Sequence, residues 1–502
     1  MELKNMLVGL ENLKVKGDLD IEISGVESNS KNVKKGYLFV AIQGFSTDGH
    51  QYVENAIENG AIAVMIQEGC NLKGIKIPDD VTVVMAKDTR EGLAIVSDNF
   101  YDHPSRKFKL IGVTGTKGKT TTTFMIKEIL EKAGKKVGLI GTIATYINGK
   151  KIKDSDRTTP ESLELQQTFA QMVKEGVEVV VMEVSSQSLK LNRVEGCEFD
   201  IVLFTNFSED HISPKEHPDM QDYFNSKLKL FKMCKTGIVN TDDLYGAKIP
   251  RLFPESNITT YGIDNYANVL AKDITITNSY VDFRVKIKDR NERVKTGIPG
   301  RFSVYNSLAA ICVAQKFGVE PEKVKEALLE VRVPGRSELV DNKREIPIMI
   351  DYAHSPESLE NILQATKSYT RGKVISVFGC GGDRDAGKRP IMGEISGRIA
   401  DFTIITSDNP RTEDPEKIVE QIEEGIKKTN GKYMVIVDRV KAIKEAIKMA
   451  TKRDIIILAG KGHEPYQEIN GKKYPFDERI IVKDIIEELN KEAKNSSKKN
   501  KN

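Results

Sequence analysis

Short apolar runs rich in β-branched residues recur along most of the chain: Lys109–Val113, Val177–Met182, Asp200–Phe204, Val374–Phe378, Phe402–Thr406 and Asp454–Leu458. Between them lie amphipathic stretches with helical spacing, such as Thr122–Ala133 and Pro415–Lys428. Runs that are apolar throughout, rather than alternating, mark strands covered on both faces. The pattern therefore predicts βαβ units around buried parallel sheets. No repeat of solenoid period appears. Pro and Gly break the pattern at His103-Pro104-Ser105 and at Val331-Arg332-Val333-Pro334-Gly335-Arg336. These breaks divide the 502 residues into an N-terminal domain over 1–105, a central one over 106–332 and a C-terminal one over 333–490. The Lys/Asn/Ser-rich end, 491–502, is expected to be a disordered basic tail.

Composition narrows the function. Apolar residues make up 39% of the chain, enough for several cores. The formal charge of +3 is misleading, because Lys491 to Asn502 holds five Lys and one Glu and leaves the body near neutrality. That gives no electrostatic case for a nucleic-acid partner. Cys70, Cys197, Cys234, Cys312 and Cys380 lie far apart without a Cys-x-x-Cys pair, as expected of reduced thiols in a cytoplasmic protein. Met1 to Gly17 carries charges throughout, and no run reaches the ~20 apolar residues that span a bilayer. The expectation is a cytoplasmic protein with no membrane and no nucleic-acid partner.

The sharpest local signal is Leu110-Ile111-Gly112-Val113-Thr114-Gly115-Thr116-Lys117-Gly118-Lys119-Thr120-Thr121. A buried strand enters a glycine-rich turn, and Gly-Lys-Thr opens a helix. Glycines let backbone amides curl around a phosphate, Lys119 adds a point charge, and the Thr120 hydroxyl suits Mg²⁺. The turn alone leaves open whether ATP is hydrolysed, used to transfer a phosphoryl group, or only bound.

Together with segments that follow in order from Ser28 to Asp477, Thr-Gly-Thr-x-Gly-Lys-Thr resembles the nucleotide loop of the Mur ligases, ATP-dependent amide synthetases that build the peptidoglycan stem peptide. The resemblance is to members that add the third residue. It implies an α/β fold of three domains: a small N-terminal α/β domain, a central P-loop ATP-binding domain with a mostly parallel sheet, and a C-terminal Rossmann-like domain. Gly115, Thr116, Lys117, Gly118, Lys119, Thr120 and Thr121 would then bind ATP. Glu183, at the end of an apolar strand, matches a Mg²⁺ ligand. His211, in Thr205-Asn206-Phe207-Ser208-Glu209-Asp210-His211, matches the ligand of a second Mg²⁺. Lys227, in Tyr223-Phe224-Asn225-Ser226-Lys227, matches a lysine carbamylated to an anionic N6-carboxylysine, which can hold Mg²⁺ where an ammonium would repel it. Asn306, in Phe302-Ser303-Val304-Tyr305-Asn306, matches a nucleotide contact.

The same resemblance assigns Ser30, Thr158, Thr159, Ser185 and Arg193 to a UDP-N-acetylmuramoyl-dipeptide. In the C-terminal part it gives Arg336 and Asp351 to ATP, with Arg336 joining Lys119 and Lys227 as catalytic groups. Arg384, Asp408, Asn409, Pro410, Arg411, Gly460 and Glu464 fall to the acceptor amino acid. Asp408-Asn409-Pro410-Arg411 is the form found in members that add meso-diaminopimelate, whose distal carboxylate a guanidinium binds with two hydrogen bonds. The implied reaction is ATP-dependent acylation of meso-diaminopimelate by UDP-MurNAc-L-Ala-D-Glu through an acyl phosphate, by a monomer. L-lysine or another diamino acid as acceptor, and a folylpolyglutamate-synthase-like ligase, are the alternatives. The chain departs from the usual pattern at Asn29, Lys31, Lys117, Gln187 and Ser303.

Overall fold

The computed structural model describes residues 1–45, 47–71, 74–213, 216–288 and 290–499. The chain folds as two compact units, one made of Met1–Val269 with Ala309–Glu320 and the other of Leu270–Leu308 with the residues from Pro321 onward. Among the described residues, no helix is long and apolar enough to cross a membrane.

The first unit carries two sheets. Near its start, strands Gly25–Glu27, Tyr37–Val40, Ala61–Gln67 and Thr82–Ala86 run parallel in that order, and Lys14–Lys16 pairs antiparallel at the edge. Further on, Asn257–Gly262, Cys234–Asn240, Phe199–Phe204, Lys109–Thr114, Val179–Glu183 and Val137–Ile140 lie side by side, all parallel. Ala144–Ile147 and Lys150–Asp154 extend this sheet antiparallel. Lys109–Thr114 sits in the middle, and its residues after Lys109 are fully buried. A central parallel strand has helices on both faces, and so the sequence there is apolar throughout rather than alternating.

Element ends shift from the sequence expectation for local reasons. The strand expected from Val177 begins at Val179, because Val177 still donates its amide to the Met172 carbonyl and closes the helix Ser162–Lys174. The helix that Gly-Lys-Thr was expected to open does begin at Lys119, where Gly118 at φ +85° turns the loop into the first helical turn.

In the second unit, Ile348–Asp351, Ile455–Ala459, Val374–Phe378, Phe402–Ile405 and Tyr433–Val435 form a parallel sheet in that order, with Glu338–Leu339 antiparallel at one edge. The last parallel strand of this sheet thus inserts between the first two, a reversal of strand order of the kind beside which open α/β sheets place ligand loops. Apolar clusters around Ile362, Phe378 and Ile422 on one face, and Ile443, Ile456 and Ile485 on the other, sandwich the sheet. The hairpin Val281–Ile287/Arg290–Thr296 also belongs to this unit. It packs with helix Pro321–Glu330 through Gly297 N–H donating to Leu328 O (2.9 Å) and the Lys325–Glu292 ion pair (2.8 Å). The unit boundary at Val269/Leu270 therefore falls inside the central domain expected over 106–332.

The chain end also differs from expectation. Helix Glu478–Lys499 continues through most of the segment expected to be disordered from 491, and residues 500–502 lie outside the described residues. Val482, Ile485, Ile486 and Leu489 anchor the helix in the core, and Lys444 reaches Glu488 and Glu492 from a neighbouring helix. An anchored helix propagates cheaply through Lys, Glu and Ala.

Candidate active site

The glycine-rich loop follows the central strand and is clamped by the strand beside it. Asn206 Oδ1 accepts from Lys117 N–H (2.9 Å) and its Nδ2 donates to Lys117 O (3.0 Å); Thr205 Oγ1 donates to the same carbonyl (2.7 Å). Gly115 has φ +143°, and a Cβ there would lie 2.0 Å from Thr205 Oγ1. Only glycine fits. Lys119 folds back so that Nζ donates to Gly115 O (2.9 Å) and Thr116 O (3.0 Å), inside the loop it would share with a phosphate.

Glu183 is buried at the end of its strand. Its Oε2 accepts from Thr120 Oγ1 (3.0 Å) and Thr142 Oγ1 (3.1 Å), and its Oε1 from Thr142 N–H (2.8 Å). Thr142 Oγ1 also lies 3.1 Å from Thr158 Oγ1. Thr159 Oγ1 donates to Glu183 O (3.0 Å) and accepts from Ser185 N–H (3.1 Å), while Arg193 reaches Thr159 O (3.3 Å). One carboxylate thus joins Thr120 of the glycine-rich loop to the threonines and serine expected to hold a substrate. Thr142 was absent from the sequence expectations. Its position just past the strand Val137–Ile140, where ligand loops emerge in such sheets, was the available signal.

Lys227 is 1% exposed, on the helix Met220–Lys232, with Nζ donating to Gly115 O at 2.9 Å and lying 4.4 Å from the centre of the Tyr223 ring. Burial, and then the charge of Lys119, hold its ammonium pKa well below the usual 10.5, against a smaller opposite pull from Asp210. Desolvation there disfavours the ammonium relative to the neutral amine.

The His211 ring centre lies 5.9 Å from that of Tyr223, the ring that Lys227 lies over. His211 is half exposed at φ +59°, and its Nδ1 lies 2.9 Å from Glu216 Oε2. The buried imidazole of this region is His217, whose Nδ1 is 2.7 Å from Asp222 Oδ2 and whose Nε2 is 2.9 Å from Ser186 Oγ. Sequence reasoning gave a metal role only to His211, the first histidine of this segment. Among the described residues, no group of three or more His, Cys, Asp or Glu side chains converges as a metal cluster. The donor set that suits a hard divalent ion is the Thr120 hydroxyl with the Glu183 carboxylate.

Ser30 and Arg193 line one cavity of about 600 Å³ with Asn29, Lys31, Phe45, Arg90 and Arg157. Its guanidinium groups suit an anionic, elongated ligand. Glu161 pairs with Arg157 and, at 2.9 Å, with Arg193, whose pKa burial lowers.

The second unit gathers the acceptor candidates at the C-terminal ends of its strands. Asn409 Nδ2 donates to Glu464 Oε2 (2.8 Å), and Asn409 Oδ1 accepts from Lys461 Nζ (3.0 Å). Lys461, which sequence reasoning left unassigned, is fully buried, 3.4 Å from Glu464 Oε2 and 3.9 Å from Asp408 Oδ1. Gly460 has φ +112°, and a Cβ there would lie 2.4 Å from Asp408 Oδ2. A Cβ on Gly382 would lie 1.9 Å from Pro410 O, and one on Gly381 would lie 2.9 Å from Arg411 NH1 and 3.9 Å from Arg384 Cγ. The loops bearing Arg384, Asp408–Arg411 and Gly460–Glu464 are therefore in mutual contact. Arg389, 1% exposed, ties two of them together through paired bonds to Glu413 (2.8 and 2.9 Å) and one to Gly381 O (3.2 Å).

Arg336 lies over the Tyr352 ring at 5.1 Å. Asp351 accepts from Ser337 N–H (2.7 Å) and Ala353 N–H (2.9 Å); burial raises its pKa, with Arg336 pulling the other way. Asn306 is buried on helix Arg301–Lys316.

Profiles of three domains match the chain in order: the Mur ligase family catalytic domain over residues 22–103, the Mur ligase middle domain over 113–314 and the Mur ligase glutamate ligase domain over 335–462. The UDP-N-acetylmuramoyl-L-alanyl-D-glutamate--2,6-diaminopimelate ligase of Caldanaerobacter subterraneus subsp. tengcongensis is 50% identical, covering 98% of this chain and 100% of that relative. The ligase of the same name from Clostridium botulinum is 45% identical over 97% of this chain and 100% of its own length. A solved structure of a UDP-N-acetylmuramoyl-L-alanyl-D-glutamate--2,6-diaminopimelate ligase superposes with a TM-score of 0.71 at 28% identity, covering 98% of this chain and 99% of that one. With all three domain profiles matched in order and a relative 50% identical over nearly the full length, the chain belongs to the Mur ligase family.

Proposed function

We propose that the chain is an ATP-dependent amide ligase that joins meso-diaminopimelate to UDP-N-acetylmuramoyl-L-alanyl-D-glutamate, releasing ADP and phosphate. The observation that carries this reading is the link from Thr120 through Glu183 and Thr142 to Thr158, which sets the phosphate loop beside the residues given to the carboxylate substrate. The relatives' names supply the substrates.

In this reading Gly115–Thr121 and Lys119 hold the ATP phosphates, and Asn306, Arg336 and Asp351 complete the nucleotide contacts. Ser30, Thr158, Thr159, Ser185 and Arg193 hold the UDP-dipeptide with its D-glutamate carboxylate toward the γ-phosphate. The carboxylate oxygen attacks phosphorus, ADP leaves, and an acyl phosphate forms. Thr120 and Glu183 would hold one Mg²⁺, and Lys227 as its carbamate, with His211, a second. Bound Mg²⁺ offsets the charge of the two anions that must meet. Lys119 bears on the same charge from the protein side.

The amine of meso-diaminopimelate then attacks the acyl carbon, and phosphate departs. Arg411 and Arg384 take the acceptor's carboxylates, and Glu464, Asp408 and Asn409 its distal ammonium, with Pro410 and Gly460 shaping the loops.

Phosphate release from ATP, Mg²⁺ and UDP-MurNAc-L-Ala-D-Glu tests the reading, run with meso-diaminopimelate, with L-lysine and with no amino acid. Release dependent on meso-diaminopimelate is expected. Dependence on L-lysine would overturn the role of Arg411, and release indifferent to amino acid would overturn the ligase.

A further inference from the structure

Arg411 is held in an unusual way. Its backbone is left-handed, at φ +52°, with no glycine to relieve the strain. The strained turn is fixed by the hairpin Tyr466–Ile469/Lys472–Pro475: Arg411 N–H donates to Glu468 O (3.0 Å) and Asn470 N–H to Arg411 O (2.6 Å). Glu468 N–H donates to Asn409 Oδ1 (2.9 Å), and Gln467 Nε2 to Asp408 O (2.6 Å). The four acceptor residues Asp408–Arg411 therefore take their shape from this hairpin.

The side chains are paired as well. Arg411 Nε lies 3.3 Å from Glu468 Oε2, and Arg411 NH1 donates to Gly382 O at 2.7 Å. A guanidinium binds a carboxylate with two parallel N–H groups, either Nε with NH2 or NH1 with NH2. One of those faces has a donor engaged by Gly382 O, and the other lies in an ion pair with the Glu468 carboxylate. The pair is only 20% and 25% exposed, so solvent screens it incompletely.

We propose that Glu468 tunes the affinity of the acceptor site by standing in for the acceptor's distal carboxylate. It keeps Arg411 paired when the site is empty and competes with the incoming amino acid for the guanidinium. The inference rests on the ligase reading and deepens it. An acceptor with a distal carboxylate exchanges one anion for another at Arg411. An acceptor with only a distal ammonium gains nothing there, and leaves the Arg411–Glu468 pair closed. The internal pair thus sets the affinity for the true acceptor below the maximum the site allows.

Glu468→Gln tests this in the intact protein. The amide keeps the size and shape of the side chain facing Arg411 Nε while the competing charge is removed. KM for meso-diaminopimelate is expected to fall about three- to five-fold, the scale of a partly exposed ion pair. The kcat value and the KM for ATP and for UDP-MurNAc-L-Ala-D-Glu are expected to stay unchanged, as is the melting temperature. A KM for meso-diaminopimelate that is unchanged or raised would overturn the proposal, since a purely structural Glu468 predicts one or the other. A second variant, Glu468→Ala, separates orientation from charge: kcat falling while KM still drops supports competition, and KM rising in both variants overturns it. Wild-type protein lacking any meso-diaminopimelate-dependent phosphate release would instead sink the ligase reading, before either variant is compared.

Discussion

Lys227 shows most directly how place alters chemistry at the scale of one residue. On sequence alone it is one lysine in a helix of alternating lysines. In the fold it is buried against the phosphate-loop carbonyl of Gly115, and desolvation favours its neutral amine. A neutral amine adds CO₂ and releases a proton, which yields the carbamate the ligase reading requires. Turnover is therefore expected to fall when the protein is prepared free of CO₂ and to recover on adding bicarbonate, with a matching mass gain of one CO₂ at Lys227. Turnover indifferent to bicarbonate would exclude the carbamate. Arg389 offers a different test at this scale. Its hydrogen bonds, ahead of the Asp383 amide, hold the Glu413 carboxyl below its usual 4.5. The stabilisation from the pair is complete above that pH and is lost as pH falls through the lowered folded value. Arg389→Met is expected to cost about 2–3 kcal/mol at neutral pH. The difference in unfolding free energy from wild type should hold steady above pH 4.5 and shrink below it. A gap that widens in acid would contradict the pairing.

At the scale of elements, the glycine-rich loops work by what they leave out. Gly460 must supply both a positive φ and the space where Asp408 Oδ2 sits. Gly460→Ala introduces about 1–3 kcal/mol of backbone strain and pushes that carboxylate aside. Roughly ten-fold weaker acceptor binding is expected, read as a higher KM for meso-diaminopimelate with the KM for ATP unchanged. An equal rise in both would mean that the loop serves the nucleotide. The strand-loop-helix at 109–132 was legible in the sequence, because an apolar run, clustered glycines and a following helix are all local signals. The clamp of Thr205 and Asn206 on Lys117 was not, nor was the Thr142 contact to Glu183, since both depend on which strands lie side by side.

For the molecule as a whole, the C-terminal helix separates anchored from free structure. Its apolar residues end at Leu489, and Glu492 is the last residue with a described ion pair to the body. Deleting 494–502 is expected to leave melting temperature and turnover unchanged, whereas deletion from 482 should unfold the C-terminal sheet by stripping one face of its core. A loss of turnover in the shorter deletion would show a role for the basic tail. The α/β class, the glycine-rich loop and the order of the motifs could be read from the chain, because buried parallel strands and glycine turns are written in contiguous residues. The sequence also supplied Asp408–Arg411 as an acceptor signature by resemblance. The rest came from contacts across the fold: the desolvation of Lys227, the pairing of His217 with Asp222, the burial of Lys461 beside Glu464, and the ion pair of Arg411 with Glu468. Each of these rests on desolvation or on a contact between residues brought together by strand order, and neither is encoded in the spacing of residues along the chain.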